Sequence, residues 1–202
     1  KYLLKEWEIL QVSDYNTIRH GSSDYFTNPE QHSAITKMID IYQLTTHFTT
    51  DNAIVTGTWT RDTDLDVAYQ RGACIGSPMS ESSGVFTFPS VGKYIINACV
   101  LAYNIGNASG TLTNYAYLYT QTTKDNFATS AGSGHHIASN GLRGVEHEGH
   151  IQSGNFFTSF HVENTSTDKV RFKWDNSRNS TSNYLYGSGT GPFSVIYFRK
   201  IG

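Results

Sequence analysis

The sequence predicts an all-β domain built as a two-layer antiparallel sandwich. Short runs rich in Thr, Tyr, Phe, Val and Ile recur along the chain, and clusters of Gly, Asn, Ser and Asp separate them. Apolar and polar residues alternate within several of these runs, as they do in strands that bury one face. The 202 residues are enough to enclose one such core.

The clearest alternation is Val170-Arg-Phe172-Lys-Trp174, where the two residues between the three apolar ones, Arg171 and Lys173, are charged. This spacing predicts a strand whose Val170, Phe172 and Trp174 face the core. The segments that we expect to form strands are 41–50, 53–60, 67–75, 85–88, 93–103, 111–122, 155–163, 169–174 and 192–201.

Helix signals are confined to the first forty residues. Asn28-Pro29-Glu30 has the composition of a helix start, and apolar residues follow it at steps of three and four. The segment 35–44 also alternates as a strand does, so a short helix and an early strand both fit this window.

We divide the chain into an N-terminal anchor or linker arm, residues 1–39, and a sandwich domain, residues 40–202. The start of the arm is apolar but too short to form a core, so we expect it to fold against a partner. Its candidate anchoring residues are Leu3, Leu4, Trp7, Ile9 and Leu10. Because the chain begins at Lys1 without methionine, we expect a processed product or the ordered part of a longer protein.

Composition excludes two classes of partner. The formal net charge is −2 and no run of Lys and Arg occurs, so nothing favours binding to nucleic acid. No segment approaches the roughly 20 apolar residues of a membrane span, so we expect no membrane insertion. Cys74 and Cys99 have no zinc or redox spacing. We favour two free thiols that behave as small buried hydrophobes, although a disulfide between them stays open.

One segment carries a family resemblance. Residues 84–94 read G-x-F-x-F-P-x-x-G-x-Y, a short strand followed by a sharp turn and a long strand. This pattern resembles the start of the jelly-roll core in the tumour-necrosis-factor and complement-globular-head superfamily. The ending 191–198 is similar to the last buried strand of that fold. The resemblance covers roughly residues 40–202 and implies a two-layer antiparallel jelly roll of the tumour-necrosis-factor type.

The details most resemble jelly-roll structural proteins of tailed, and particularly marine, phages. The resemblance includes Thr58-Trp59-Thr60-Arg61 and the C-terminal Phe198-Arg-Lys-Ile-Gly202. It implies a homotrimer on the virion exterior, as a decoration, fibre or knob, held by capsid or tail proteins and able to contact the host surface. Collagen-like repeats and a transmembrane anchor are absent from the sequence. A secreted cytokine-like ligand is the remaining family alternative.

Aromatic residues also indicate association between copies. The sequence has 13 Tyr and 11 Phe, and Tyr115, Tyr117 and Tyr119 place a row of rings on one strand face. Such a row suits a subunit interface, since each ring buries about 150–250 Å² and the hydroxyl can stay hydrated at the rim. The alternative is that these rings fill the core, because alternation fits either face.

A second hypothesis is a carbohydrate-binding or receptor-binding module. Tyr184 and Tyr186, with Trp59, are candidate stacking platforms for a host-surface glycan, and the polar loops around them offer hydrogen bonds. The same rings are also compatible with ordinary loops and strands.

Catalytic signals are weak. The candidate metal ligands are His135, His136, His147 and His150. The three-residue step from His147 to His150 and the surrounding glycines oppose the helical zinc-protease arrangement, so exposed loop histidines are the main alternative. The sequence has no G-x-S-x-G motif. We therefore expect neither enzymatic activity nor a cofactor.

Overall fold

A computed structural model describes residues 19–20, 23–24, 36–61, 74–105, 115–129, 136–143, 148–176, 183–189, 191 and 193–201. Fourteen strands are found within these ranges. In chain order they are β1 (Arg19–His20), β2 (Ser23–Asp24), β3 (Thr36–Leu44), β4 (Ala53–Ile54), β5 (Trp59–Arg61), β6 (Ser80–Ser82), β7 (Val85–Thr87), β8 (Gly92–Ile105), β9 (Tyr115–Thr123), β10 (His136–Arg143), β11 (Glu148–Val162), β12 (Lys169–Asn176), β13 (Asn183–Leu185) and β14 (Val195–Ile201).

The strands form two antiparallel sheets and a small hairpin of β1 and β2. Sheet I has the order β11-β8-β14-β3-β5, and β13 also pairs with β8. Sheet II has the order β10-β9-β12-β7-β6, and β4 also pairs with β12. Strands that are distant in sequence lie side by side in both sheets. This arrangement confirms the predicted two-layer jelly-roll sandwich.

Aromatic rings from both sheets meet in one core. The ring of Phe86 on β7 lies 5.0 Å from that of Tyr42 on β3 and 5.1 Å from that of Phe198 on β14. It also packs edge-on against Phe172 of β12 at 5.7 Å. The predicted buried face is confirmed, because Val170, Phe172 and Trp174 are all fully buried.

The segment that carries the family resemblance makes the corner between β7 and β8. Phe88 is buried, and its ring packs 4.6 Å from that of Tyr94. The Tyr94 hydroxyl donates to the carbonyl oxygen of Ser90 at 2.9 Å, which closes the turn. Gly92 has a φ of 138°, a conformation that residues with a side chain rarely adopt. The motif residues therefore fix the chain reversal that sends β8 across sheet I.

The first long strand begins before the boundary that we drew from the sequence. β3 covers residues 36–44, and Met38 is 2% exposed in the core. Residues 36–39, which we counted with the arm, therefore belong to the sandwich, and the strand interpretation of this window is correct over 36–44. The anchoring candidates Leu3, Leu4, Trp7, Ile9 and Leu10 lie outside the described residues, as does 28–35. No helix able to cross a membrane is present in the described ranges.

Both cysteines are free, as we favoured, but they are half-buried and not enclosed in the core. Burial raises the pKa of the Cys99 thiol, and burial together with the charge of Asp40 raises that of Cys74. Both thiols are therefore less nucleophilic at neutral pH than an exposed cysteine.

Candidate functional site: the outward face of sheet I and its aromatic row

Sheet I has one face in the core and one face turned outward. In β8 the side chains from Tyr94 to Ala102 that occupy even positions are buried, so the odd positions point away from the core. The residues at these outward positions are Ile95, Asn97, Cys99, Leu101 and Tyr103. Four of the five are apolar or aromatic, which is unusual for a sheet face that none of the described elements covers.

One cross-strand row lies in the middle of this outward face. Phe157 of β11 is opposite Asn97 of β8, Asn97 is opposite Tyr197 of β14, and Tyr197 is opposite Ile41 of β3. Phe157 is 76% exposed and Tyr197 is 37% exposed. Single exposed apolar residues are ordinary, but a continuous row across four strands indicates a contact surface.

Asn97 differs from its neighbours in this row. Its Oδ1 atom is buried and has no hydrogen-bond partner in the part of the chain that the structure describes. The flanking residues are Phe157 and Tyr197 on the adjacent strands, and Ile95 and Cys99 two positions away along β8. Four other buried side-chain atoms of the described residues also have no partner: Thr58 Oγ1, Trp59 Nε1, Thr120 Oγ1 and Trp174 Nε1.

Charged residues occupy one end of the same face, where Lys37 of β3, Lys93 of β8 and Arg199 of β14 are all exposed. Arg199 of β14 lies opposite Ile95 of β8 and Ile39 of β3, and its Nε donates to the hydroxyl of Thr36 at 2.7 Å. This guanidinium is exposed, so it lies at the border of the apolar row and not within it.

Five rings form an aromatic row at the end of this face, next to the end of β8. Tyr103 stacks on Tyr184 of β13 with centroids 5.1 Å apart, and Tyr184 stacks on His47 at 4.5 Å. His47 packs against Tyr186 at 4.5 Å, and Tyr186 meets the edge of Phe193 at 4.7 Å. Burial, and then the neighbouring hydroxyls of Tyr103 and Tyr186, raise the pKa of Tyr184, so its hydroxyl stays neutral and able to donate.

Backbone contacts hold the aromatic row in place. The amide of Gly187 donates to Nδ1 of His47 at 3.2 Å, which assigns the proton of a neutral imidazole to Nε2. The hydroxyl of Ser194 donates to the carbonyl oxygen of Tyr186 at 2.7 Å. Phe48 and Leu185 exchange two backbone hydrogen bonds of 3.0 Å. Three separate chain segments are thereby fixed beside each other.

The predicted ligand residues are brought together in part. Tyr184 and Tyr186 are members of the aromatic row, half-buried, with centroids 6.1 Å apart. Trp59 is 6% exposed and packs against the core ring of Phe172, so it is no stacking platform for a ligand. A three-residue strand that pairs with β3 carries this ring inward, and the alternation rule alone left its direction open.

The sequence did not indicate the other three members of the aromatic row. Tyr103 occupies an outward position of a long strand, a signal that alternation along β8 offers. His47 and Phe193 lie in segments between strands and reach the row only because distant strands pair. No local pattern could have found them.

The predicted interface tyrosines lie on the other sheet. Tyr117 and Tyr119 of β9 are half-buried on the outward face of sheet II, and their rings stack 5.6 Å apart. They lie opposite Asp175 and Lys173 of β12. The backbone of Tyr115 also lies in β9, but its side chain is outside the described residues. Whether this row contacts another subunit stays a prediction.

The predicted metal ligands are not assembled in what the structure describes. His136 begins β10 opposite Thr122, in sheet II, and His150 lies in β11 opposite Asn104, in sheet I. Nothing is described of their side chains, and His135 and His147 lie outside the described residues. No group of three or more His, Cys, Asp or Glu that could hold a metal ion occurs among the described residues.

Comparison with solved structures identifies the fold. The structure is similar to murine APRIL at pH 5.0, with a TM-score of 0.51 and 12% identity over 81% of this chain and 98% of the APRIL chain. It is also similar to Eiger TNF from S. frugiperda, with a TM-score of 0.51 and 11% identity over 83% of this chain and 94% of the Eiger chain. These neighbours show a jelly roll of the tumour-necrosis-factor type. No protein-family model matches the chain. No curated protein sequence matches it either.

Proposed function

We propose that this chain is a non-enzymatic structural domain that forms a homotrimer through the outward face of sheet I. The observation that carries the proposal is the cross-strand row centred on Asn97, with Phe157 76% exposed beside it. Full burial of one phenylalanine stabilises an assembly by about 2 kcal/mol, and three copies contribute three such rings. An apolar face of this kind is better explained by permanent contact with a copy than by contact with water.

We further propose that the trimer is displayed on the exterior of a tailed-phage virion and is held there by residues 1–39. The similarity of its motifs to phage jelly-roll proteins supports this part, together with the apolar composition of residues 1–10. Deletion of residues 1–20 tests the arm. We expect the truncated trimer to lose attachment to particles, and loading equal to that of the intact chain would exclude the arm as the anchor.

The oligomeric state tests the interface. We expect the full chain to sediment as a trimer and the Phe157→Glu variant to dissociate, because burial of an unpaired carboxylate is strongly unfavourable. Tyr119→Glu, on the outward face of sheet II, is the matched variant and should remain trimeric. Dissociation by Tyr119→Glu alone would assign the interface to the tyrosine row of sheet II. A monomeric full chain would contradict the homotrimer.

A second candidate function is recognition of a carbohydrate on the host surface. The aromatic row favours it, because the rings of Tyr184 and Tyr186 lie beside an imidazole whose Nε2 hydrogen is fixed as a donor. Flat rings stack on the apolar faces of sugars, while donors select their hydroxyls. A glycan array with the full-length protein tests this function. Binding that is lost in Tyr184→Ala and Tyr186→Ala but kept in Tyr117→Ala would support it.

A further inference from the structure

We infer that one end of the outward face of sheet I, formed by Lys37, Lys93 and Arg199 and called here the basic end, binds a ligand that carries several phosphomonoester groups. The inference goes beyond the proposed homotrimer and does not depend on it. It begins from three exposed cations on the three neighbouring strands β3, β8 and β14.

The register of these strands places the three side chains beside each other. Arg199 lies opposite Ile95 of β8, and Lys93 is two positions before Ile95. Arg199 also lies opposite Ile39 of β3, and Lys37 is two positions before Ile39. Diagonal neighbours of this kind have Cα atoms about 7–8 Å apart. Because β3 and β8 run in the same direction on the two sides of β14, the three cations form a triangle within reach of one ligand.

No carboxylate among the described residues balances this charge. The outward positions of β3, β8, β11 and β14 whose side chains the structure describes carry neither Asp nor Glu. Glu163, which follows β11, is already paired with Lys124 at 3.1 Å. Arg199 donates to the Thr36 hydroxyl through Nε, and its two Nη groups pair with no described carboxylate. The countercharge must therefore come from a bound anion.

The chemistry of the cluster favours phosphomonoesters as that anion. A phosphomonoester carries close to two negative charges at neutral pH and presents three acceptor oxygens. The guanidinium of Arg199 can bind two of these oxygens at once, and each lysine ammonium binds as a point charge. A sulfate ester carries a single charge, as does each phosphodiester of a nucleic acid. Single-stranded nucleic acid also binds through aromatic rings, and none of the three residues of the basic end is aromatic.

The basic end lies beside the proposed subunit contact and not in its centre. Lys93 is four residues from Asn97 and Lys37 is four residues from Ile41, so both are about 14 Å from the apolar row along their strands. The exposed imidazole of His161, opposite Lys93 on β11, adds a further hydrogen-bond donor at this end. A ligand can therefore occupy the basic end of either a single chain or a trimer.

Calorimetric titration of the full chain with inositol hexakisphosphate tests the inference, and inositol hexasulfate is the matched ligand. At an ionic strength of about 0.15 M we expect the hexakisphosphate to bind at least about tenfold more tightly, because its groups carry more charge. Lys93→Gln should weaken its binding about fivefold, and the triple variant Lys37→Gln/Lys93→Gln/Arg199→Gln about 100-fold. Lys173→Gln removes the same charge from the outward face of sheet II and should bind within about twofold of the wild type.

Circular dichroism of each variant verifies its fold, and the comparison of Lys93→Gln with Lys173→Gln keeps the test valid if the triple variant unfolds. Wild-type affinity in a folded triple variant, or equal affinity of Lys93→Gln and Lys173→Gln, would overturn the inference. Equally tight binding of inositol hexasulfate or of a thymidine oligonucleotide would also overturn it. Sedimentation separates the two proposals. A trimer that does not bind the hexakisphosphate contradicts only this inference, whereas a monomer that binds it contradicts only the homotrimer.

Discussion

Arg61 of β5 and Asp40 of β3 form an ion pair with an Nε–Oδ1 distance of 3.1 Å, and Asp40 is fully buried. The other carboxylate oxygen of Asp40 accepts a hydrogen bond of 2.7 Å from the amide of Met79, which precedes β6. Arg61 also donates to the carbonyl oxygen of Met79 and to the Tyr42 hydroxyl. Since β5 and β6 are edge strands of different sheets, the hydrogen bonds of Arg61 and Asp40 to Met79 connect the two layers at one side of the sandwich.

Removal of the cation should therefore be costly. In Arg61→Leu, the carboxylate of Asp40 stays buried without its countercharge, and we expect the free energy of unfolding to fall by about 3 kcal/mol. Urea denaturation of the variant measures this loss. Arg199→Leu removes an exposed arginine from the same sheet and should change the free energy of unfolding by less than about 0.5 kcal/mol. Equal effects of the two substitutions would contradict the structural role of the ion pair.

Asp168 should make stability depend on acid pH. Burial by itself raises the pKa of Asp168, but hydrogen bonds from Lys124 and from the amides of Glu163 and Asn164 outweigh burial and lower it. A lowered carboxyl pKa stabilises the fold above the unfolded pKa of about 3.9, and this contribution is lost as the pH falls through the folded value. We expect Asp168→Asn to cost about 2 kcal/mol at pH 7.

The difference in the free energy of unfolding between wild type and Asp168→Asn should begin to narrow below the unfolded pKa of about 3.9, and it should be lost only below the lowered folded pKa, where Asp168 of the folded protein is protonated too. Chemical denaturation at a series of pH values measures the difference. If this difference in the free energy of unfolding is constant down to pH 2, the charge of Asp168 contributes nothing to stability. Ser77→Ala, at an exposed bend, is the control and should leave the free energy of unfolding unchanged across the same pH series.

Gly187→Ala should disturb the aromatic row and the buried core residue Leu44, because an added Cβ atom would lie 2.9 Å from Cγ of Leu44. A Cβ atom at position 187 would lie 2.2 Å from the carbonyl oxygen of Thr46, the residue before His47. The backbone must move, and we expect the contact between the Gly187 amide and His47 to break. Loss of the ring-current shifts that the stacked rings produce in an NMR spectrum would report that the contact has broken. Gly189→Ala, where no atom lies within 4 Å of the added carbon, is the control and should leave the spectrum unchanged.

Two phenylalanines separate folding from association. Phe86 is fully buried among the rings of Tyr42, Phe172 and Phe198, so Phe86→Ala should lower the free energy of unfolding by about 3–5 kcal/mol. Phe157 is 76% exposed, so Phe157→Ala should barely change unfolding of the dilute monomer but weaken association. Thermal melts at low and high concentration distinguish the two effects, because only association depends on concentration. A large loss from Phe157→Ala at high dilution would contradict an exposed surface role.

Some features could be predicted from local sequence because the physical cause is local. Val170, Phe172 and Trp174 alternate with Arg171 and Lys173, and a strand must place the two sets on opposite faces. The turn between β7 and β8 likewise follows from Pro89 and Gly92. For these segments the prediction and the structure agree.

The window from 36 to 44 shows where a local pattern is insufficient. Apolar spacing there fits a helix and a strand equally well, and pairing of β3 with β14 and β5 selects the strand. Direction was equally undetermined for aromatic side chains: Trp59 enters the core, whereas Tyr184 and Tyr186 face outward. The strand propensity of an aromatic residue is the same whether its ring points into the core or away from it. Only the position of each strand within its sheet decides which way the ring points.

Alternation and turn chemistry act over a few residues, so the amino-acid sequence is enough to predict an all-β sandwich with Phe172 on its inner face. Only the packing of the whole chain brings Tyr103, His47 and Phe193 beside Tyr184 and Tyr186. These relationships depend on the pairing of β8 with β11, β13 and β14, strands that are far apart in the chain. Their register is set by the packing of the whole core, and no local segment encodes it.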